Sequence, residues 1–237
     1  MTEANIDNFQ HGIYIDTIKK LDEFMELYRN SDSGEVYDLL LDGSLLNDGN
    51  FVKYFQSLKI KNSVNVAIRE LVPSHMIQII SKQKLQMQLE FLNEVEKNFE
   101  KAKAVNCSKI IHSIDILPPN NNEKELFSSL YGMSYAKGIE FILALRIPMP
   151  ENNQNFLQVH EMLRKSMCHI NLALDIHVDE NGFMQMNFAE AIKPLLFDID
   201  MVHFLCESQF GNRLEISTLQ EVSQVCSQFN PNVKVFF

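Results

Sequence analysis

The chain has 237 residues, 46% of them hydrophobic, and sets 21 Lys and Arg against 31 Asp and Glu for a net charge of −10. That balance repels phosphate backbones and anionic bilayers, so neither nucleic acid nor a membrane surface is an expected partner. The start, Met1 to Asp7, lacks the basic and apolar runs of a signal peptide, no stretch approaches the roughly 18 apolar residues that span a bilayer, and the four cysteines form no C-x-x-C pair, which together point to a cytoplasmic protein with reduced thiols.

Short apolar runs alternate with amphipathic stretches, the pattern of βα units around a parallel sheet. The first strand is predicted over His11–Ile15, followed by a helix over Thr17–Tyr28 whose Ile18, Leu21, Phe24, Met25 and Tyr28 share a stripe. Val36–Leu41 is the second strand, with a short helix over Asn50–Leu58. Val64–Ile68 is the third. A long helical stretch follows, starting with Ser74 as N-cap and running to about Ala104, with a break predicted near Ser81; Leu85, Leu89, Leu92, Phe99 and Ala102 keep helical spacing within it. Strands at Lys109–Ile114, Phe141–Ile147, Asn171–Ile176, Met201–Leu205 and Val233–Phe237 follow, separated by helices at Glu123–Ala136, Asn153–Met167, Phe188–Leu196 and Thr218–Phe229. Eight such strands predict an α/β fold, a single (β/α)8 TIM barrel over residues 1–237 with strand eight at the C-terminus; such barrels take about 250 residues and manage with about 200. An open doubly wound sheet of about five or six strands is the alternative.

In a barrel, alternate residues of each strand point inward, and the outward ones pack under helices. Strand three, with Val64, Val66 and Ile68 outward, turns Asn65, Ala67 and Arg69 inward. Strand six likewise turns in Asn171, Ala173, Asp175 and His177, strand five Ala144 and Arg146, and strand seven His203, Leu205 and Glu207. The C-terminal rim, where barrel active sites are built, then holds Arg69, Arg146, Asp175, His177, His203 and Glu207, with Asp42, His112 and Asp115 as further candidates. Asp175 with Arg146 also reads as a plain rim ion pair, His203 as a satisfied core histidine, and Glu207 and Asp42 as solvated loop residues. Arg69 is the hardest to place without function, because an inward arginine needs an anionic partner.

Three segments resemble the xylose isomerase-like barrels, a family that includes sugar-phosphate epimerases and endonuclease IV. Phe99 to His112 is similar to that family's third helix and fourth strand, Leu172-Ala173-Leu174-Asp175-Ile176-His177 to its strand-six aspartate and histidine, and Met201-Val202-His203-Phe204 to its strand-seven histidine. The resemblance implies a barrel fold and sugar isomerase or epimerase chemistry. It also implies a divalent metal held by a glutamate ending strand five, an Asp-x-x-His at strand six, a histidine at strand seven and a glutamate ending strand eight. Here Arg146 stands where the first glutamate belongs, the strand-six motif is shortened to Asp175-Ile176-His177, and the last strand ends Val235-Phe236-Phe237. A dication about 4 Å from a guanidinium is repelled by roughly 8 kcal/mol at an effective dielectric of about 20. No metal cofactor is therefore expected, an altered Zn²⁺ or Mn²⁺ site on Asp175, His177, His203 and Glu207 being the alternative.

Three functions remain open from sequence. In a sugar isomerase or epimerase, Glu207, His203 or Asp175 would serve catalysis as bases, while Arg69, Arg146, His177, His112 and Asp42 bind a sugar-like or anionic substrate. A non-catalytic protein would use the same arginines to bind an anionic small molecule. An altered divalent-metal enzyme is the third. A homodimer through the Leu85–Ala102 stripe is a further possibility, against packing of that stripe on the barrel.

Overall fold

A computed structural model describes residues 12–30, 37–58, 60, 64–114, 120–147, 161, 164–165, 167, 170–178, 199–206 and 234–236. Its strands are β1 (Gly12–Ile15), β2 (Tyr37–Asp42), β3 (Val64–Arg69), β4 (Cys107–Ile114), β5 (Glu140–Ile147), β6 (Asn171–Val178), β7 (Ile199–Cys206) and β8 (Lys234–Phe236). They close in chain order into a parallel barrel, with β1 paired to both β2 and β8. The helices are α1 (Ile18–Asn30), α2 (Gly49–Ser57), α3 (Ser74–Ile80), α4 (Leu85–Ala104) and α5 (Asn121–Ala136). The helices predicted over Asn153–Met167, Phe188–Leu196 and Thr218–Phe229 fall largely or wholly outside the described residues.

The long helical stretch breaks where the sequence predicts: α3 stops at Ile80 and α4 begins at Leu85. A 3₁₀ turn at Gly43–Asn47, which the apolar pattern does not signal, links β2 to α2. Its N-cap is Asp42. Asp48 caps α2 in the same way, accepting from the Asn50 backbone N–H at 2.8 Å. Asn120 and Glu123 form a reciprocal capping box at the start of α5.

Period-two alternation sorts the strand residues into two clusters. Leu39, Leu41, Val66, Ile68, Ile110, Leu143 and Leu174 pack outward against the helices, with Phe24, Phe51 and Phe99 completely buried between the layers. Leu40, Ala67, Ile111, Ile142, Ala144 and Ala173 fill the barrel interior. Below them, at the N-terminal end, lies a polar layer. Asn65 donates to Asp38 at 2.8 Å, Lys109 pairs with Glu140 at 2.8 Å, and Asn171 donates to the same Glu140 at 2.5 Å. Above them lies the mouth.

The α4 stripe divides. Phe99 and Ala102 are buried on the barrel, whereas Leu85 and Leu89 are 70% and 53% exposed. No helix among the described residues is long and apolar enough to cross a membrane.

Candidate functional site

The strand ends of β2, β3 and β4 deliver Asp42, Arg69 and Ser113 to the mouth, Asp42 and Arg69 being direct register partners. Asp42 is drawn on from two sides. Its Oδ1 accepts from the Ser44 backbone N–H at 2.9 Å and the Ser44 hydroxyl at 2.5 Å, and its Oδ2 accepts from the Tyr14 hydroxyl of β1 at 2.6 Å. Arg69 is 8% exposed and donates through Nη2 to the Ser113 hydroxyl at 3.3 Å.

The electrostatics are internally balanced. Burial pushes the Asp42 carboxyl up, but the hydrogen bonds from Ser44 and Tyr14 and the nearby Arg69 charge outweigh it, and the group sits below the ordinary 3.8. Burial pushes the Tyr14 phenol well above its usual range; the bond to Asp42 and its charge add to the shift, and Arg69 offsets only part of it. A neutral phenol, a carboxylate and a guanidinium therefore share the mouth at neutral pH. Arg69 and Asp42, register partners on neighbouring strands, act on each other through their charges.

Glu70 follows directly, with φ at 56°. Its backbone N–H donates to the Ile111 carbonyl at 2.8 Å. Its carboxylate accepts from the Ser113 backbone N–H at 2.8 Å, the Ser74 backbone N–H at 2.8 Å and the Ser74 hydroxyl at 2.7 Å. One side chain thus ties β3 to β4 and to the start of α3, in place of a side-chain cap from Pro73. Gly43 packs directly on this joint: a Cβ there would lie 2.2 Å from the Glu70 carbonyl oxygen. Between the two loops opens a cavity of about 350 Å³, lined by Asp42, Ser44, Asn47, Glu70, Ser74 and His75, with Leu71 and Pro73 as its apolar wall.

On the far side of the mouth, backbone register aligns Arg146 of β5 with Asp175 of β6, and Asp175 with His203 of β7. Arg146 lies two positions beyond Ala144 on β5, and Asp175 two beyond Ala173 on β6. His177 is paired with Leu205 one step further out. Glu207 and Asp115 lie outside the described residues. Among the described residues, no three His, Cys, Asp or Glu side chains converge as a metal site.

His112 is a correction. It lies between outward-facing Ile110 and Ile114, is 2% exposed, and sets its imidazole 5.4 Å from the Phe127 ring of α5 with the two planes tilted by 57°. It belongs to the layer between sheet and helices and cannot reach a ligand at the mouth. Cys107, also buried, has its thiol pushed up to about 12 by desolvation, so it offers no thiolate nucleophile. The residues that sequence reasoning missed are Tyr14, Glu70, Ser74 and Ser113. Tyr14 alternates with Ile13 and Ile15, and that alternation was the one available signal.

The class this geometry defines is a (β/α)8 barrel with a polar C-terminal mouth. Solved structures with the same fold include a D-psicose 3-epimerase from Clostridium cellulolyticum H10 in complex with D-tagatose. It is 13% identical, with 96% of this chain and 84% of that one covered and a TM-score of 0.59. A 3-keto-D-glucoside 4-epimerase from E. coli is 14% identical over 97% and 92% of the two chains, with a TM-score of 0.58. A psychrophilic glycoside hydrolase family 10 endo-β-1,4-xylanase reaches a TM-score of 0.65 at 9% identity, covering 97% and 86%. The first two match the xylose isomerase-like resemblance of the three sequence segments, and at this identity the likeness is one of fold. No family model and no curated protein matches the chain.

Proposed function

We propose that this chain is a sugar isomerase or epimerase that works without the metal arrangement of the xylose isomerase-like barrels. The observation that carries the proposal is the register row Arg146–Asp175–His203 across three consecutive strand ends. Moving a proton next to a carbonyl requires a base and a group that stabilises the enediolate oxygen. His203, Asp175 or Glu207 supplies the base. Arg146 supplies a fixed positive charge at the place where the family puts a metal-binding glutamate. A divalent ion does not fit beside that guanidinium, because the attraction Asp175 offers the ion is opposed by Arg146 one strand away. The fold likeness to the two epimerases supports a sugar-like ligand.

The test is proton exchange. The protein is incubated with neutral and phosphorylated ketoses in D₂O, with and without Mn²⁺ or Zn²⁺, and deuterium at the carbon beside the carbonyl is read by NMR. Metal-independent exchange is expected, falling about 10²–10³-fold in Arg146→Ala, the range for losing one oxyanion-stabilising group. Exchange unchanged in Arg146→Ala removes the assigned role, and exchange that appears only with stoichiometric metal reinstates an altered metal site on Asp175, His177 and His203. A second reading, a binding protein without catalysis, is favoured by the same replacement of a glutamate by Arg146. Ligand binding with no exchange for any sugar selects it.

A further inference from the structure

The start of α4 reverses the usual pattern of a surface helix. Six large hydrophobic side chains are exposed among the described residues, and four of them, Ile79, Leu85, Met87 and Leu89, fall between positions 79 and 89. Single exposed hydrophobics are ordinary, but a cluster marks a contact surface. The lower turns of α4 dock through Val95, Phe99 and Ala102, all buried. Helical spacing carries that stripe upward through Leu92 to Gln88. Gln88 gives its amide to the Gln83 carbonyl at 3.0 Å. The stripe therefore ends in a polar side chain, while Leu85 and Leu89, four apart on one flank, are left in water. The turn before them is fastened to α5, because Asn122 donates to the Ser81 carbonyl at 2.8 Å.

Charge says what covers this flank. The segment Lys84-Leu85-Gln86-Met87-Gln88-Leu89-Glu90 reads the same from either end, except that its two terminal charges have opposite sign. An antiparallel copy centred at the height of Met87 sets Leu85 level with Leu89 and Lys84 level with Glu90, each twice, as a two-fold axis requires. Both charges are at hand. Lys84 is exposed and meets no carboxylate among the described residues. Glu90 takes a hydrogen bond at 3.0 Å from the Gln86 amide, which is neutral and leaves its charge unbalanced. Exposed Lys82 adds positive charge at the same end as Lys84. Glu94 is already paired with Lys97 and takes no part. Each copy carries a net charge of −10, but screening beyond about 8 Å at physiological ionic strength lets the local pattern decide.

We infer that the Leu85–Leu89 flank of α4 is the surface through which two copies of this chain associate, helix against helix and antiparallel. The contact is small. It belongs at the low end of interface sizes, below about 1,200 Å² in total, where association is weak and reversible. The inference is independent of the sugar reading.

Sedimentation velocity of the full chain over a concentration series tests it. A monomer–dimer equilibrium is expected, with a Kd on the order of 10–100 μM. Leu85→Gln combined with Leu89→Gln replaces two exposed side chains by equally good helix formers. That variant should stay monomeric across the series, with the melting temperature of the dilute protein unchanged. Lys84→Glu should weaken the dimer about fivefold, as the loss of two exposed ion pairs implies, and Glu90→Lys should do the same. Lys84→Glu and Glu90→Lys together should restore it, since the pairs re-form with their signs exchanged. A chain that is monomeric up to about 1 mM overturns the inference. So does a dimer that survives the double leucine replacement, or a charge exchange that does not restore what the single changes remove.

Discussion

At the residue scale, the mouth depends on a few groups whose partners are internal. Asp42 is the clearest case. Its folded pKa is depressed, so the stability it contributes is present above the unfolded value of 3.8 and is lost as pH falls below that value and through the lower folded one. Asp42→Asn should therefore flatten the acid limb of a melting-temperature profile below about pH 4, and an unchanged acid limb would show that Asp42 is not held as described. Gly43 is a second case. Its Cβ would meet the Glu70 carbonyl and the Leu71 Cα at 2.2 and 2.8 Å, both backbone atoms that cannot swing aside. Gly43→Ala should cost about 2–3 kcal/mol in denaturant unfolding and loosen the cavity; a loss under about 0.5 kcal/mol would show that the loops yield. Arg69 was legible as a rim residue because Asn65, Ala67 and Arg69 alternate cleanly with Val64, Val66 and Ile68, whereas Asp42 was only a further candidate, since Leu39, Leu40 and Leu41 put leucine on both faces of strand two. Glu70 was not, since it sits beyond the strand in a left-handed conformation that a non-glycine residue does not announce.

At the scale of elements, the reading by strand period succeeds where one face is polar and fails where both are apolar. β3 and β6 carry Asn65 and Asn171 on the inner face, which fixes their parity. β4 reads Ile110-Ile111-His112-Ser113-Ile114, with isoleucine on both faces, and the sequence alone could not say which way His112 turns. The structure assigns it to the α5 contact. His112→Ala should accordingly cost about 2–3 kcal/mol of stability through the void it leaves, while sugar affinity stays within about twofold, under 0.5 kcal/mol; a larger loss of affinity in a folded variant would return His112 to the site. The break between α3 and α4 was legible for a different reason. The run Ser81-Lys82-Gln83-Lys84 interrupts the apolar stripe, and Gln88 reaches back to the Gln83 carbonyl at 3.0 Å to close the turn. The split of the α4 stripe was not legible, because helical spacing is the same for residues that reach the barrel and residues that overhang it.

At the scale of the whole molecule, the order of strands was the most readable feature. Closing the barrel needs only that each apolar run find the next, and the parallel connections leave few other topologies. The polar layer at the N-terminal end was invisible until strands were in register, since Lys109, Glu140 and Asn171 lie far apart in sequence. Glu140→Leu should remove its bonds to both and cost about 1–2 kcal/mol while leaving sugar binding at the opposite end untouched. A change in affinity as large as the change in stability would mean that the two ends are coupled.

That layer has a further consequence. With Lys109, Glu140 and Asn171 joined across one end and aliphatic side chains filling the middle, the described strands leave the C-terminal mouth as their one open end. If the chain turns over a sugar as proposed, substrate and product share that mouth, so a product that lingers acts as a cork, and its inhibition should be competitive with the molecule waiting outside.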